Sequence, residues 1–190
     1  MIRIGVFASG SGSNAENIIT HFKDTDIAHV HTVLTNNAHA GVIARAHQYR
    51  VHCEIFSNAD LKVPGKILAL LQLHKIDFVV LAGFLRLMPV DIIGAYENKI
   101  INIHPALLPN YGGQGMYGMK VHEAVIAAGE KESGISIHYV NEKFDEGKII
   151  FQAKTAITKD DTAETLADKI HQLEYDHFPE VIEKLVEKMI

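Results

Sequence analysis

Asn102 and His104 are the residues of this sequence whose spacing most directly suggests chemistry. They follow an apolar run typical of a strand, and residues two apart on a strand face the same side. The amide and the imidazole therefore project together at the carboxyl end of that strand, where open α/β sheets bind ligands. Two such donors can stabilise the oxyanion of an acyl transfer. Taken alone, an Asn-x-His segment more often has a structural role, with the histidine capping the strand end.

Asp145 is a second candidate, although its immediate context is that of a turn. It lies in Phe144-Asp145-Glu146-Gly147, between two strand-like segments, and aspartate is a common turn former. If the fold brings Asp145 beside His104, its charge favours the imidazolium form of that histidine and supplies a cationic donor. Its own surroundings leave both interpretations open.

A glycine-rich loop near the amino end has the residue types that bind phosphate. The segment Gly10-Ser11-Gly12-Ser13-Asn14-Ala15 follows a short strand and precedes a helix, so its backbone N–H groups can cradle an anion. A dinucleotide site normally adds an acidic residue after the second strand, but Thr35-Asn36-Asn37 stands there. A mononucleotide phosphate is therefore favoured, and a plain tight turn with Ser13 as helix cap is the alternative.

The elements that must position these residues alternate along the chain. Apolar segments with strand character are expected at 4–7, 29–35, 51–56, 78–81 and 99–104. Helical segments are expected after the first three: one through Ile18, Ile19 and Phe22, one around 42–49, and one at 61–75 with an interruption at Pro64-Gly65. This alternation predicts an α/β fold with a mostly parallel open sheet, and the fully apolar 78–81 predicts a central strand covered on both faces.

The carboxyl-terminal part has a different pattern. A long glycine-rich loop runs from Pro105 to about residue 120, and a helix is expected at 121–128. Segments 134–140 and 148–153 predict a hairpin. Asp161 and Glu164 have capping-box spacing ahead of a long helix that Pro179 is expected to kink.

Composition favours small-molecule chemistry. The 190 residues carry a net charge of −5 and 47% hydrophobic residues, which indicates one domain over 1–190 and no basic face for nucleic acid. A lone cysteine, Cys53, and the absence of a long apolar run favour a cytoplasmic protein without a membrane partner. Among 12 histidines, His29 and His31 alternate on a strand without an evident third ligand, so no metal site is expected.

Four segments carry a resemblance to a known family: Gly10-Ser11-Gly12-Ser13-Asn14, Leu81-Ala82-Gly83-Phe84-Leu85-Arg86, Asn102-Ile103-His104-Pro105-Ala106-Leu107-Leu108-Pro109 and Asp145-Glu146-Gly147. In order and spacing the chain resembles the formyltetrahydrofolate-dependent formyltransferase family over essentially its whole length. The first segment is similar to the branch that formylates glycinamide ribonucleotide. The resemblance implies the Rossmann-like formyltransferase fold, with a C-terminal hairpin and long helix.

The resemblance also implies an activity. A formyl group would pass from the cosubstrate 10-formyltetrahydrofolate to the amine of glycinamide ribonucleotide, giving formylglycinamide ribonucleotide and tetrahydrofolate in de novo purine biosynthesis. Asn102 and His104 would polarise the formyl carbonyl, while Asp145 would support the charged histidine and an ordered water. No metal is implied.

Binding residues follow by the same resemblance. Ser11, Gly12, Ser13 and Asn14 would hold the ribonucleotide phosphate, and Glu174 would bind its ribose hydroxyls. The backbone of Arg86, Leu87 and Met88 would hold the pterin, with Asn102, Val140 and Asn141 on its other side. The loop 111–118 departs from the family pattern, so its contacts do not carry over, and neither does a role for His171.

Three rival functions remain as alternatives. A methionyl-tRNA formyltransferase-like catalytic domain and a formyltetrahydrofolate hydrolase share the folate motif, but each is expected to carry a further domain. A non-catalytic nucleotide-binding module needs the phosphate loop and has no use for Asn102, His104 and Asp145 together. Homodimer formation is left open.

Overall fold

The computed structural model describes all residues, 1–190, and its sheet has seven strands. The strands are β1 (Ile2–Phe7), β2 (Ala28–Thr35), β3 (His52–Ile55), β4 (Phe78–Leu81), β5 (Ile100–His104), β6 (Glu132–Tyr139) and β7 (Ile149–Ala156). The helices are α1 (Ser13–Phe22), α2 (Val42–Gln48), α3 (Lys66–Leu73), α4 (Val90–Ala95), α5 (Met119–Ala127) and α6 (Ala163–Glu187). No helix combines the length and the apolar character needed to cross a bilayer.

The strand order is β3-β2-β1-β4-β5-β6-β7. Strands β1 to β5 run parallel, whereas β6 pairs antiparallel with β5 and β7 antiparallel with β6. The predicted α/β class, the mostly parallel open sheet and the C-terminal hairpin are therefore confirmed.

Helices cover both faces of the sheet. Alternate residues of β4 show this, because Phe78 and Val80 belong to one buried cluster while Val79 and Leu81 belong to another. Helices α1, α2, α5 and α6 pack in the first cluster, and α3 and α4 pack in the second. Burial on both faces is what a continuous apolar strand requires.

One local expectation is confirmed and one needs correction. The segment expected to be helical at 61–75 is interrupted at Pro64-Gly65 as predicted, because Gly65 adopts a left-handed conformation with φ of 77° and α3 begins at Lys66, after a short 3₁₀ turn. The capping box of α6 is formed by Thr162 and Thr165 rather than by Asp161 and Glu164. Threonine at position 165 reaches back to the Thr162 N–H at 2.9 Å, so the box lies one residue later.

Pro179 does not end α6. The helix runs through it to Glu187, and the proline ring is buried. Helix α4, by contrast, was not expected from the sequence. Six residues are too few to show helical periodicity.

Candidate active site

A cavity of about 850 Å³ lies at the carboxyl ends of β1, β4 and β5. Open α/β sheets bind ligands at this end. Every site residue expected from the sequence lines it: Ser11, Gly12, Ser13, Asn14, Arg86, Leu87, Met88, Asn102, His104, Val140, Asn141, Asp145 and Glu174. Segments distant in the chain therefore meet around one volume.

Strand β5 presents Asn102 and His104 toward this cavity. His104 is 3% exposed and Asn102 is half-buried. The Nδ2 group of Asn102 lies 3.1 Å from Nε2 of His138 and 3.4 Å from Oδ1 of Asp145. Both acceptors come from outside β5, so the amide is positioned by tertiary contacts.

His104 is held between two acceptors. Its Nε2–H donates to the Tyr111 carbonyl at 2.7 Å, and its Nδ1 lies 3.5 Å from Oδ2 of Asp145. This arrangement brings Asp145 beside His104, as expected from the resemblance. With acceptors on both ring nitrogens, the geometry can accommodate the imidazolium form.

The protonation state of His104 differs from the sequence-based expectation. Burial lowers the pKa of His104 below its ordinary value, and the charge of Asp145 and the Tyr111 carbonyl oppose this shift only in part. Asp145 thus acts in the expected direction but is outweighed, because a buried imidazolium loses its hydration. The lowered pKa favours the neutral ring, which keeps one N–H to donate.

Asp145 is fixed by its backbone and by its surroundings. Its φ of 56° lies in the left-handed region, where aspartate is one of the tolerated residues. Its Oδ2 accepts from the Gly113 N–H at 2.9 Å. Burial alone would raise its pKa, but the neighbouring rings of His138 and His104 and the Gly113 N–H together lower the pKa. The carboxylate is therefore anionic.

His138 is a site residue that the sequence did not indicate. It is 2% exposed, lies opposite Asn102 in the pairing of β5 with β6, and its Nε2 is also 3.5 Å from Oδ1 of Asp145. Its Nδ1 lies 2.8 Å from the Tyr139 carbonyl, which fixes the ring. The only sequence signal is its alternation on β6, because the register with β5 is a long-range property.

The glycine-rich loop of residues 10–15, called the phosphate loop below for its proposed role, leads into the start of α1. Gly12 is the helix N-cap with φ of 78°, a conformation that favours glycine. A Cβ at Gly12 would lie 2.5 Å from the Cβ of Val42, so the residue also allows α2 to approach. Arg45 donates through Nε to the Ser11 carbonyl at 2.9 Å. The helix N-terminus remains directed at the cavity as an anion site.

Helix α6 brings Glu174 to the same loop. Asn14 donates to Oε2 of Glu174 at 2.9 Å, while its own Oδ1 is buried without a hydrogen-bond partner. His171 lies 3.2 Å from the same Glu174 oxygen. Hydrogen bonding to Glu174 raises the pKa of His171 and so favours its protonated form.

A second region of the cavity is more apolar. Leu87 is 45% exposed and Met88 is buried, while the Arg86 side chain turns away to donate to Asn58 at 3.1 Å. Val140 and Asn141 line the cavity as well. Backbone groups and aliphatic side chains therefore form the walls here, which suits a flat heterocycle.

Comparison with known proteins agrees with this architecture. The family model described as formyl transferase matches residues 2–182. The phosphoribosylglycinamide formyltransferase of Bacillus subtilis is 37% identical, over 98% of this chain and 95% of that protein. The structure of glycinamide ribonucleotide transformylase 1 from Symbiobacterium toebii has a TM-score of 0.90 at 33% identity, over 99% of this chain and 89% of that one.

A plant relative is longer than this chain. The chloroplastic phosphoribosylglycinamide formyltransferase of Vigna unguiculata is 40% identical over 193 residues, which cover 99% of this chain. The chain spans 62% of the length of that relative.

Proposed function

This chain belongs to the formyl transferase family, and we propose that it transfers the formyl group of 10-formyltetrahydrofolate to the amine of glycinamide ribonucleotide. The observation that carries the proposal is the single cavity that joins the phosphate loop to Asn102, His104 and Asp145. Relatives that bear this enzyme's name match nearly the whole chain. The products are formylglycinamide ribonucleotide and tetrahydrofolate, in de novo purine biosynthesis.

The transfer needs an oxyanion site. The amine attacks the formyl carbon, the bond from that carbon to N10 of the folate breaks, and the proton lost by the amine passes to N10. Asn102 and His104 donate hydrogen bonds to the formyl oxygen, on which negative charge develops. That charge favours the imidazolium form of His104, and the anionic Asp145 adds to the effect. In this proposal Asp145 also orders a water for the proton transfer.

The two substrates occupy opposite parts of the cavity in this proposal. The phosphate of the ribonucleotide binds the N–H groups of Ser11 to Asn14 at the start of α1, and Glu174 accepts hydrogen bonds from the ribose hydroxyls. The pterin lies against Arg86, Leu87 and Met88. The formyl group then reaches Asn102, which lies between these regions.

We further propose that residues 1–190 form one catalytic domain in the cytoplasm. The family match over 2–182 and the packing of both buried clusters on one sheet support the single domain. The free, half-buried Cys53 is consistent with a reducing compartment.

Acceptor dependence tests the proposal. Folate product formation is followed with glycinamide ribonucleotide, with water alone, and with methionyl-tRNA, for the unmodified protein, His104→Ala and the exposed control His47→Ala. We expect turnover with the ribonucleotide only, lost in His104→Ala and kept in His47→Ala. Equal turnover with water would support the hydrolase, and turnover only with the tRNA would support that transferase. Nucleotide binding with no turnover would support the non-catalytic module.

A further inference from the structure

A cluster of two histidines and one glutamate involves the edge strand β3, outside the cavity. His52 and Glu54 alternate on β3, and His74 caps the carboxyl end of α3. Their potential ligand atoms all lie within 4.8 Å of one another. None of the three lines the cavity, so the proposed transfer reaction does not use them.

The carboxylate of Glu54 is shared by the two imidazoles. Its Oε1 lies 2.9 Å from Nε2 of His52 and 2.9 Å from Nε2 of His74. These contacts lower the pKa of Glu54, so the group is an anion. Two imidazole nitrogens thus converge on one negative oxygen.

The geometry is close to that of a zinc site. With zinc-to-nitrogen bonds of about 2.0–2.1 Å, tetrahedral ligand atoms lie roughly 3.3 Å apart. This separation lies between the 2.9 Å of the two Glu54 contacts and the 4.8 Å within which all three ligand atoms lie. Small side-chain rotations would therefore bring the three atoms to the spacing of zinc ligands. Two histidines and one glutamate are also a known three-residue zinc set, which leaves a fourth position for water.

The chain supports these ligands from two elements. Backbone pairing of β3 with β2 fixes His52 opposite Thr32 and Glu54 opposite Leu34, and the end of α3 brings in His74. The ring of His31 lies 5.8 Å from that of His74, which adds a further imidazole beside the cluster. Side-chain exposures of 55%, 26% and 16% for His52, Glu54 and His74 leave an entry path for an ion.

We propose that His52, Glu54 and His74 bind one zinc ion, which ties the edge strand β3 to the end of α3. Both imidazoles would ligate through Nε2 and carry their proton on Nδ1. The sequence pointed away from a metal because it shows His29 and His31 without a third ligand. The ligand set of the proposal comes instead from β3 and from a helix end about twenty residues later.

Zinc titration tests the proposal directly. Untagged protein, stripped with a chelator, is titrated with zinc chloride by calorimetry, and cobalt(II) is used to read tetrahedral coordination by visible absorption. The variants are His52→Ala, His74→Ala and Glu54→Gln, with the exposed His47→Ala as the control that also removes one imidazole.

We expect one zinc per chain and a rise in Tm with zinc. Each cluster variant should lose more zinc affinity than the roughly 10- to 100-fold that is typical when a residue hydrogen-bonded to a metal ligand is removed. His47→Ala should bind as the unmodified protein does. The absence of stoichiometric binding, or equal affinity in all variants, would overturn the proposal. Formyl transfer is measured alongside and should be the same in all these variants, so this result is independent of the proposed function.

Discussion

At the scale of single residues, the donors of β5 are already engaged by the protein. The Nε2–H of His104 donates to the Tyr111 carbonyl, and Asn102 donates toward His138 and Asp145. In the proposed reaction the formyl oxygen would replace these acceptors. The protein contacts hold the two donors in position before substrate binds, which is the preorganisation that electrostatic catalysis requires.

His104 and Asp145 should behave as one unit. Removing one oxyanion donor typically lowers turnover by about a hundredfold to a thousandfold, so His104→Ala should lose kcat steeply with little change in KM. Asp145→Asn removes the charge that raises the pKa of His104, so kcat should fall as well. Because both residues act on one transition state, the fold-loss of kcat in the double variant should be much smaller than the product of the two single losses. If steady-state kinetics show that the kcat loss of the double variant equals the product of the single losses, Asp145 does not act through His104 and is only a turn residue.

Arg86→Ala should weaken folate binding less than the loss of a charge suggests. The Arg86 side chain is bonded to Asn58, and the proposed pterin contact uses its backbone. The KM for 10-formyltetrahydrofolate should therefore rise by less than about tenfold, which is 1.4 kcal/mol, with kcat unchanged. Complete loss of folate binding would show that the guanidinium itself holds the cosubstrate.

At the scale of elements, the loop after β5 contacts both His104 and Asp145. Tyr111 and Gly113 contact His104 and Asp145 through backbone atoms. Backbone contacts of this kind depend on the path of the chain rather than on side-chain identity. Side-chain substitutions in this loop can therefore leave the positions of His104 and Asp145 unchanged.

Gly112→Ala should therefore impair turnover more than binding. A Cβ at Gly112 would lie 2.5 Å from Cδ2 of Leu108 and 3.2 Å from Cβ of Asp145, so either the loop or the carboxylate must shift. We expect a kcat loss on the order of tenfold, since misplacement of catalytic groups is costly. Asn110→Ala, at an exposed position of the same loop that does not line the cavity, is the control. Equal kinetics for the two variants would contradict the positioning role.

The sequence predicted elements better than it predicted contacts between them. Strand periodicity and the fully apolar segment of β4 predicted the sheet. The spacing of Asn102 and His104 predicted that both side chains lie on one side of β5. His138 was missed because its contact with Asn102 depends on the register of β5 with β6. The lowered pKa of His104 was missed because burial is a tertiary property. The shift of the capping box from Asp161 to Thr162 has a local cause, since either residue can serve as a cap.

At the scale of the whole molecule, buried histidines couple stability to pH. His29, His31, His104 and His122 all have pKa values below 6.5, with burial as the leading cause. The unfolded chain binds more protons than the folded chain below about pH 6.5, so their contribution is complete above that value and is lost as pH falls toward the folded pKa values. His171 has the opposite effect on the pH dependence of stability, because its pKa is raised and its contribution is lost as pH rises.

We expect Tm, measured in the presence of a chelator, to fall from about pH 7.5 to about pH 5.5. In a chain of this size each 1 kcal/mol shifts Tm by about 2–4 °C. His122→Gln should reduce the slope, because its Nδ1 is buried without a partner and the ring contributes to the proton uptake. A Tm that is constant or rises toward the lower pH would contradict this linkage.

The most direct test of the proposed function follows the formyl carbon itself. The protein is incubated with glycinamide ribonucleotide and with 10-formyltetrahydrofolate labelled in the formyl carbon, and the products are separated by mass. The proposal predicts that the label appears in formylglycinamide ribonucleotide, in an amount equal to the tetrahydrofolate released, and that His104→Ala lowers the rate of both by about a hundredfold to a thousandfold. Label recovered as formate, or tetrahydrofolate released without labelled ribonucleotide, would contradict it.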